Sequence, residues 1–298
     1  MNFRQTGRKR KNRRVVAVES ILKTACLFFC AAGILSVALL RSNETDFLPK
    51  RDRIMITAHR GASYGAPENT RASVALGIAE QADYVEIDVR LTADGVPVLM
   101  HDRALFRTTG VVNEIDKVTY AELGTYDVGC RYAERYTGET VPCLREILEV
   151  YGRKVKFNIE LKDGESRELT GAVAALIKDF GLERRCVVTS ASYAQLELVK
   201  KLNGNIKTGY IISLVYGEIF GYEAADFFSV KSDCITEQLV KSAHAKGKEI
   251  HAWTVNKAYE IKRMQELGVD NIITDKPAYV REILNGHATS ERKIVCYQ

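Results

Sequence analysis

The sequence contains no CxxC pair and no other cysteine spacing of the kind that holds zinc. Of its seven cysteines, Cys26 and Cys30 lie in an apolar run near the N-terminus, while Cys130, Cys143, Cys186, Cys234 and Cys296 are scattered over the rest. A zinc site is thereby disfavoured, and a Cys130 to Cys143 disulfide stays open. Also missing is a glycine-rich phosphate loop after the first strand-like run, which weakens the case for a doubly wound open sheet. A basic surplus is missing as well, despite a formal net charge of +5: seven of the 43 Lys and Arg residues fall between Arg4 and Arg14, and without them 36 basic residues face 38 acidic ones. Nucleic-acid binding through a basic folded surface is therefore not expected.

What is present begins with residues 24–40, which carry no charge and are rich in Leu, Ala, Phe and Ile. About 20 apolar residues cross a bilayer, and residues 15–40 reach that length with Glu19 and Lys23 at the headgroups. This predicts one N-terminal transmembrane helix at 15–40, a basic cytoplasmic tail at 1–14 and a polar linker with Pro49 at 41–53. It also predicts a single-pass cell-membrane protein, partnered to the membrane by that helix, with the rest of the chain on the extracytoplasmic side. A cleaved signal peptide is the rival reading, although the run is long for one and no small-x-small cleavage site follows it.

Beyond the linker, short β-branched or apolar runs recur at 54–58, 84–89, 155–160, 186–189, 208–212, 227–230, 249–255 and 271–273. Helical patterns lie between most of them, at 70–81, 144–151, 166–180, 193–202, 236–246 and 257–267, several ending at a glycine such as Gly181, Gly247 or Gly268. Strand then helix, repeated about eight times, predicts an α/β protein of the (β/α)8 TIM-barrel class over 54–285, with a C-terminal tail at 286–298. Ala93-Asp94-Gly95 is a turn between two extended runs, so the second strand continues into a hairpin. Residues 101–143 then form a small insertion.

A closed barrel builds its active site at the C-terminal ends of its strands, so the residues after each run carry the chemistry. Glu86 and Asp88 are two apart and share a strand face; with Glu160 from the next strand, three carboxylates converge. Crowded carboxylates repel one another and call for a cation, and an all-oxygen set suits Mg2+ or Ca2+. Plain ion pairing of Glu86 or Asp88 with Arg60 or Lys162 is the bland alternative. Two of the five histidines, His59 and His101, end adjacent strands beside these acids, and such a pair can take a proton from an attacking hydroxyl and give one to a leaving oxygen. Arg60 can bind two phosphate oxygens at once, and Lys162 adds charge to the same anion. Together these groups fit phosphodiester cleavage.

The stretches His59-Arg60-Gly61, Ala66-Pro67-Glu68-Asn69-Thr70, Glu86-Ile87-Asp88, His101-Asp102, Glu160-Leu161-Lys162, Trp253-Thr254-Val255-Asn256 and Thr274-Asp275 resemble, in order and spacing, the glycerophosphodiester phosphodiesterase family. The resemblance covers about residues 54 to 284. It implies His59 and His101 as the acid and base, Glu86, Asp88 and Glu160 as ligands of a divalent cation, and Arg60 and Lys162 on phosphate. It further implies a small-molecule or lipid-derived phosphodiester as substrate, with glycerol 3-phosphate and an alcohol as products, which belongs to lipid and glycerol metabolism. Glu68 reads either as a substrate-side group or as part of a helix N-terminus. Trp253, the one tryptophan, reads as a lining of the substrate mouth or as barrel packing. His251 is assigned no chemistry. The rival activities are phospholipase D-like cleavage of lysophospholipid or sphingolipid headgroups and a non-catalytic barrel that only binds phosphodiesters.

Overall fold

Side chains alternate along each strand, one set turned to surrounding helices and the other to a shared axis, and this alternation sets the architecture. The computed structural model describes residues 53–217 and 219–286. In chain order the elements are β1 (Met55–Ala58), α1 (Arg71–Ala79), β2 (Tyr84–Leu91), β3 (Pro97–Leu99), α2 (Phe106–Thr109), α3 (Tyr120–Leu123) and α4 (Leu144–Tyr151). They continue as β4 (Lys156–Leu161), α5 (Arg167–Asp179), β5 (Cys186–Ser190), α6 (Tyr193–Leu202), β6 (Lys207–Ile212), β7 (Phe227–Lys231) and α7 (Glu237–Ala245). The chain closes with β8 (Glu249–Trp253), α8 (Ala258–Leu267), β9 (Asn271–Thr274) and α9 (Pro277–Leu284). β1 pairs in parallel with both β9 and β2, so eight parallel strands form a ring with no free edge. β3 is the antiparallel arm of the expected hairpin, with Val89 opposite Leu99.

Val85, Ile87 and Val89 of β2 and Phe157, Ile159 and Leu161 of β4 pack into one core with helix residues such as Val74, Leu148 and Val173. The alternate positions line the axis and are largely polar. Thr57 donates to Asn271 at 3.0 Å and Thr189 to Asn158 at 2.9 Å. The ring of Phe227 stacks on His251 at 4.0 Å, in space that only a glycine leaves at 209, since a Cβ there would fall 2.2 Å from the Phe227 ring.

Two features depart from eight regular units. No described helix joins β6 to β7; instead the rings of Tyr193, Tyr210 and Tyr222 cluster at 4.8 to 5.8 Å against that connection. The insertion has a small core of its own, in which Val98, Met100, Leu105, Ile115, Leu123 and Val141 are buried. Cys130 and Cys143 are both free thiols, so the disulfide left open by the sequence does not form.

The transmembrane expectation is corrected here. The longest described helix, α5, has 13 residues, about 20 Å of helix against a hydrocarbon core of about 30 Å. Among the described residues no helix is long and apolar enough to cross a membrane. The expected span 15–40 lies outside them, as do the tail 1–14, linker residues 41–52 and C-terminal residues 287–298. The single-pass anchor, the membrane partner and the extracytoplasmic location therefore find no support in the described structure.

Inside the barrel, Glu249 accepts from Lys207 at 2.7 Å and from His251 at 3.0 Å. Burial raises the Glu249 pKa, but His251 and Lys207 outweigh it and hold the carboxyl well below its ordinary 4.5. Burial keeps His251 below its ordinary 6.5. Both signs point the same way: the unfolded chain binds protons that the folded one refuses, so this cluster's contribution is present at neutral pH and fades as pH falls below 6.5 for the imidazole and 4.5 for the carboxyl. E249Q should lower the urea midpoint at pH 7 and flatten its decline below pH 4.5, as measured by equilibrium unfolding across pH.

Candidate active site

β2 and β4 run side by side with Asp88 opposite Glu160 and Glu86 opposite Asn158, so the three acids lie on the axis face of neighbouring strands. One oxygen from each of Glu86, Asp88 and Glu160 lies within 4.8 Å of the others. Glu86 and Asp88 are almost fully buried. Lys162 reaches Glu160 at 2.7 Å and Asp88 at 3.3 Å, and the Arg60 Nε stands 3.4 Å from Asp88. These cations serve Asp88 and Glu160, while Glu86 Oε1 is buried without a hydrogen-bond partner. Burial first, and repulsion from Asp88 next, push the Glu86 carboxyl up to about 8. Burial and the neighbouring Asp88 also raise Glu160. Burial would raise Asp88 too, but Lys162 and Arg60 outweigh it and hold that carboxyl low. An oxygen cluster with one buried orphan acceptor fits a divalent cation, which would be held by Glu86, Asp88 and Glu160.

The loop after β1 wraps this cluster. Arg60, Gly61 and Asn69 all adopt positive φ, at 54°, 79° and 55°. The turn lets the Arg60 amide donate to Glu86 Oε2 at 2.7 Å and the Gly61 amide to the Glu86 carbonyl at 3.1 Å. Asn69 donates to Asp88 Oδ2 at 2.8 Å and accepts from the Asp88 amide at 3.0 Å. The positive φ at Arg60 and Asn69 is thus held by the same carboxylates that the loop covers.

Each histidine has a carboxylate behind it. His59 Nδ1 lies 2.7 Å from Asp275 Oδ1, just past β9, which ring closure makes the neighbour of β1. Asp275 also accepts from Ser63 at 3.1 Å and Asn256 at 2.6 Å. His101 Nδ1 lies 2.7 Å from Asp102 Oδ1, and the hairpin carries it beside β2 because the Met100 amide bonds the Asp88 carbonyl at 3.0 Å. Burial lowers the His59 pKa, but Asp275 and Glu86 outweigh it and the net shift is upward. For His101 burial wins over Asp88 and Asp102, and the shift is downward. Arg107 and His101 keep Asp102 ionised down to about 2 against the opposing pull of burial.

The family model described as the glycerophosphoryl diester phosphodiesterase family matches residues 59–279. The chain belongs to that family. A glycerophosphodiester phosphodiesterase of Caldanaerobacter subterraneus is 33% identical over 232 residues, 76% of this chain and 95% of that one. Among solved structures, an Oleispira antarctica phosphodiesterase in complex with the product sn-glycerol-3-phosphate is 30% identical with a TM-score of 0.72, covering 80% of this chain and 98% of that one. A glycerophosphodiester phosphodiesterase from Agrobacterium tumefaciens is 27% identical with a TM-score of 0.66, covering 76% and 99%. Family and barrel together make this chain an enzyme that hydrolyses glycerophosphodiesters.

Of the residues expected in this phosphodiesterase site, His59, Arg60, Glu68, Glu86, Asp88, His101, Glu160 and Lys162 form one network of contacts and charges. Glu68 binds Arg60 at 3.0 Å rather than capping α1, whose cap is Thr70. Trp253 ends β8 with its indole N–H on the Ser229 carbonyl at 2.9 Å, and no hydrogen bond joins it to the acids among the described residues. Asn69, Asp102, Arg107, Asn256 and Asp275 were given no role from the sequence. Asp102 and Asp275 were legible in principle: each follows a strand or hairpin arm at the same end as its histidine. Asn69 lies in one of the stretches that carry the family resemblance, and Arg107-Thr108-Thr109 also reads as following the family pattern or as only shaping the insertion; neither position has a strand-end signal that names its partner.

A Cβ at Gly61 would fall 2.4 to 2.5 Å from Ser73, and its φ of 79° disfavours other residues. Gly61→Ala should therefore destabilise the protein by about 1–3 kcal/mol and shift the His59 and Arg60 loop. The check is a lowered urea midpoint together with a loss of turnover larger than the fraction unfolded explains.

Proposed function

We propose that the barrel, residues 54–285, hydrolyses glycerophosphodiesters to glycerol 3-phosphate and an alcohol with His59 and His101 as the proton-transfer pair. The carrying observation is that each imidazole has its Nδ1 tied to a carboxylate, Asp275 or Asp102, at 2.7 Å. That bond fixes Nδ1–H as the donor and leaves Nε2, which has no hydrogen-bond partner among the described residues, for the substrate. One imidazole accepts the proton of the attacking hydroxyl or water, and the other gives one to the oxygen of the departing alcohol. Because the two carry opposite shifts, they can hold different protonation states at one pH.

Arg60 and Lys162 bind the phosphate oxygens and take up charge as phosphorus becomes five-coordinate. Arg60 is held in reach by its strained turn and by Glu68. Glu86, Asp88 and Glu160 are the ligands of a divalent cation, Ca2+ or Mg2+, which when bound supplies charge neutralisation and Lewis acidity to the phosphodiester. Trp253, at the same end of the barrel, lines the mouth where the alcohol group enters.

His59→Ala and His101→Ala should each reduce turnover of glycerophosphocholine by roughly 10² or more with folding retained. Turnover should fall to background in EDTA and return with Ca2+ or Mg2+, and Glu86→Gln should weaken metal activation. Glycerol 3-phosphate release from glycerophosphocholine and glycerophosphoethanolamine is the measurement. Wild-type turnover in either histidine variant would sink the role given to that residue.

A further inference from the structure

The insertion meets the site through one side chain. Arg107, in α2, donates from Nη1 and Nη2 to the two oxygens of Glu68 at 2.6 and 2.8 Å, and from Nε to Asp102 Oδ2 at 2.5 Å. Each of those carboxylates uses its remaining capacity on a site residue: Glu68 Oε1 accepts from Arg60 Nη1 at 3.0 Å, and Asp102 Oδ1 holds His101 Nδ1 at 2.7 Å. The guanidinium is itself braced. Its residue's carbonyl accepts from Arg131 Nε at 3.3 Å, Arg131 lies over the Phe106 ring at 5.6 Å, and α2 ends at Gly110 in the left-handed conformation.

We propose that Arg107 is a positioning residue of the reaction, a single fork that fixes His101 through Asp102 and Arg60 through Glu68, so that proton transfer and phosphate binding are set by the same insertion. This deepens the two-histidine reading and rests on it. A half-exposed ion pair would ordinarily contribute little. Here the pair is bidentate, and both acceptors are tied to side chains facing the reaction, where a misplacement of about 1 Å can cost up to ~10² in rate. The planar guanidinium meets the two carboxylates with three N–H groups in fixed directions, two on Glu68 and one on Asp102; an ammonium at this position lacks that bidentate fork.

The test uses the full chain, saturated with metal, and reads kcat and KM for glycerophosphocholine in R107A, R107K, D102A, E68A, H101A and the doubles R107A/D102A and R107A/E68A. Asp102→Ala should act mainly on kcat, Glu68→Ala mainly on KM, and Arg107→Ala on both, with kcat down roughly tenfold and KM up several-fold. Each double should lose little beyond its carboxylate single in the parameter that carboxylate controls, kcat for R107A/D102A and KM for R107A/E68A, because the fork reaches that parameter through that carboxylate. Arg107→Lys should recover at most one of the two parameters, and it keeps the test open should the alanine variant fail to fold. Near-wild-type kcat and KM in folded R107A, full additivity in both doubles, or full recovery in R107K would each overturn the proposal. If H101A itself turns over like wild type, the two-histidine reading has failed; if H101A is impaired and R107A is not, only the role of Arg107 has.

Discussion

The buried carboxyl of Asp88 is the hub on which the rest of the site depends. It faces Glu160 across the β2–β4 register, accepts from Asn69, and stands near both Lys162 and Arg60. A lone ionised group at this depth would cost several kcal/mol, so it persists only because every side is answered by a donor or a cation. Answering it draws in the loop after β1, the strand end after β4 and the hairpin arm that bonds its own carbonyl. The positive φ at Arg60 is held by those contacts, whereas Gly61 and Asn69 are residue types that enter the left-handed region readily.

With both nearby cations turned to Asp88 and Glu160, Glu86 is left with an unpartnered oxygen in a buried place. The tension is electrostatic and directional. It raises the Glu86 pKa and makes the cluster ready to receive positive charge. The barrel axis of this chain therefore carries a cluster in which burial and mutual repulsion create the demand for positive charge. Around it, the polar axis of the barrel, from Thr57 and Asn271 to His251 and Glu249, is fully bonded and stays structural.

The insertion is more than a cover. Its own buried core gives it rigidity, and its side chains donate onto the β1 loop: Tyr136 bonds the Gly65 carbonyl at 2.7 Å, and Tyr132 bonds the carbonyl of Tyr64. A rigid body pinned to a strained loop transmits position well, which is why a charge carried on α2 can matter to residues on the barrel strands.

Taken by itself, the sequence determined the alternation of strands and helices. Strand runs such as 84–89 and 271–273 and helices 144–151 and 193–202 match the observed elements closely, because period and capping are local properties. It also put His59, Glu86, Asp88, His101 and Glu160 at or near one end of the strands, since topology alone sends those positions to one mouth. The tertiary structure decided the partners. That Asp275 stands behind His59 depends on ring closure bringing β9 to β1, 216 residues away in sequence, and that Asn69 and Arg107 lean on Asp88, Glu68 and Asp102 depends on how a loop and an insertion fold over the barrel. Such pairings leave no periodic trace, because a single hydrogen bond between distant residues imposes no pattern on the chain between them. The apolar run near the N-terminus marks the other limit: hydropathy alone suggested a membrane helix, and the described structure contains none.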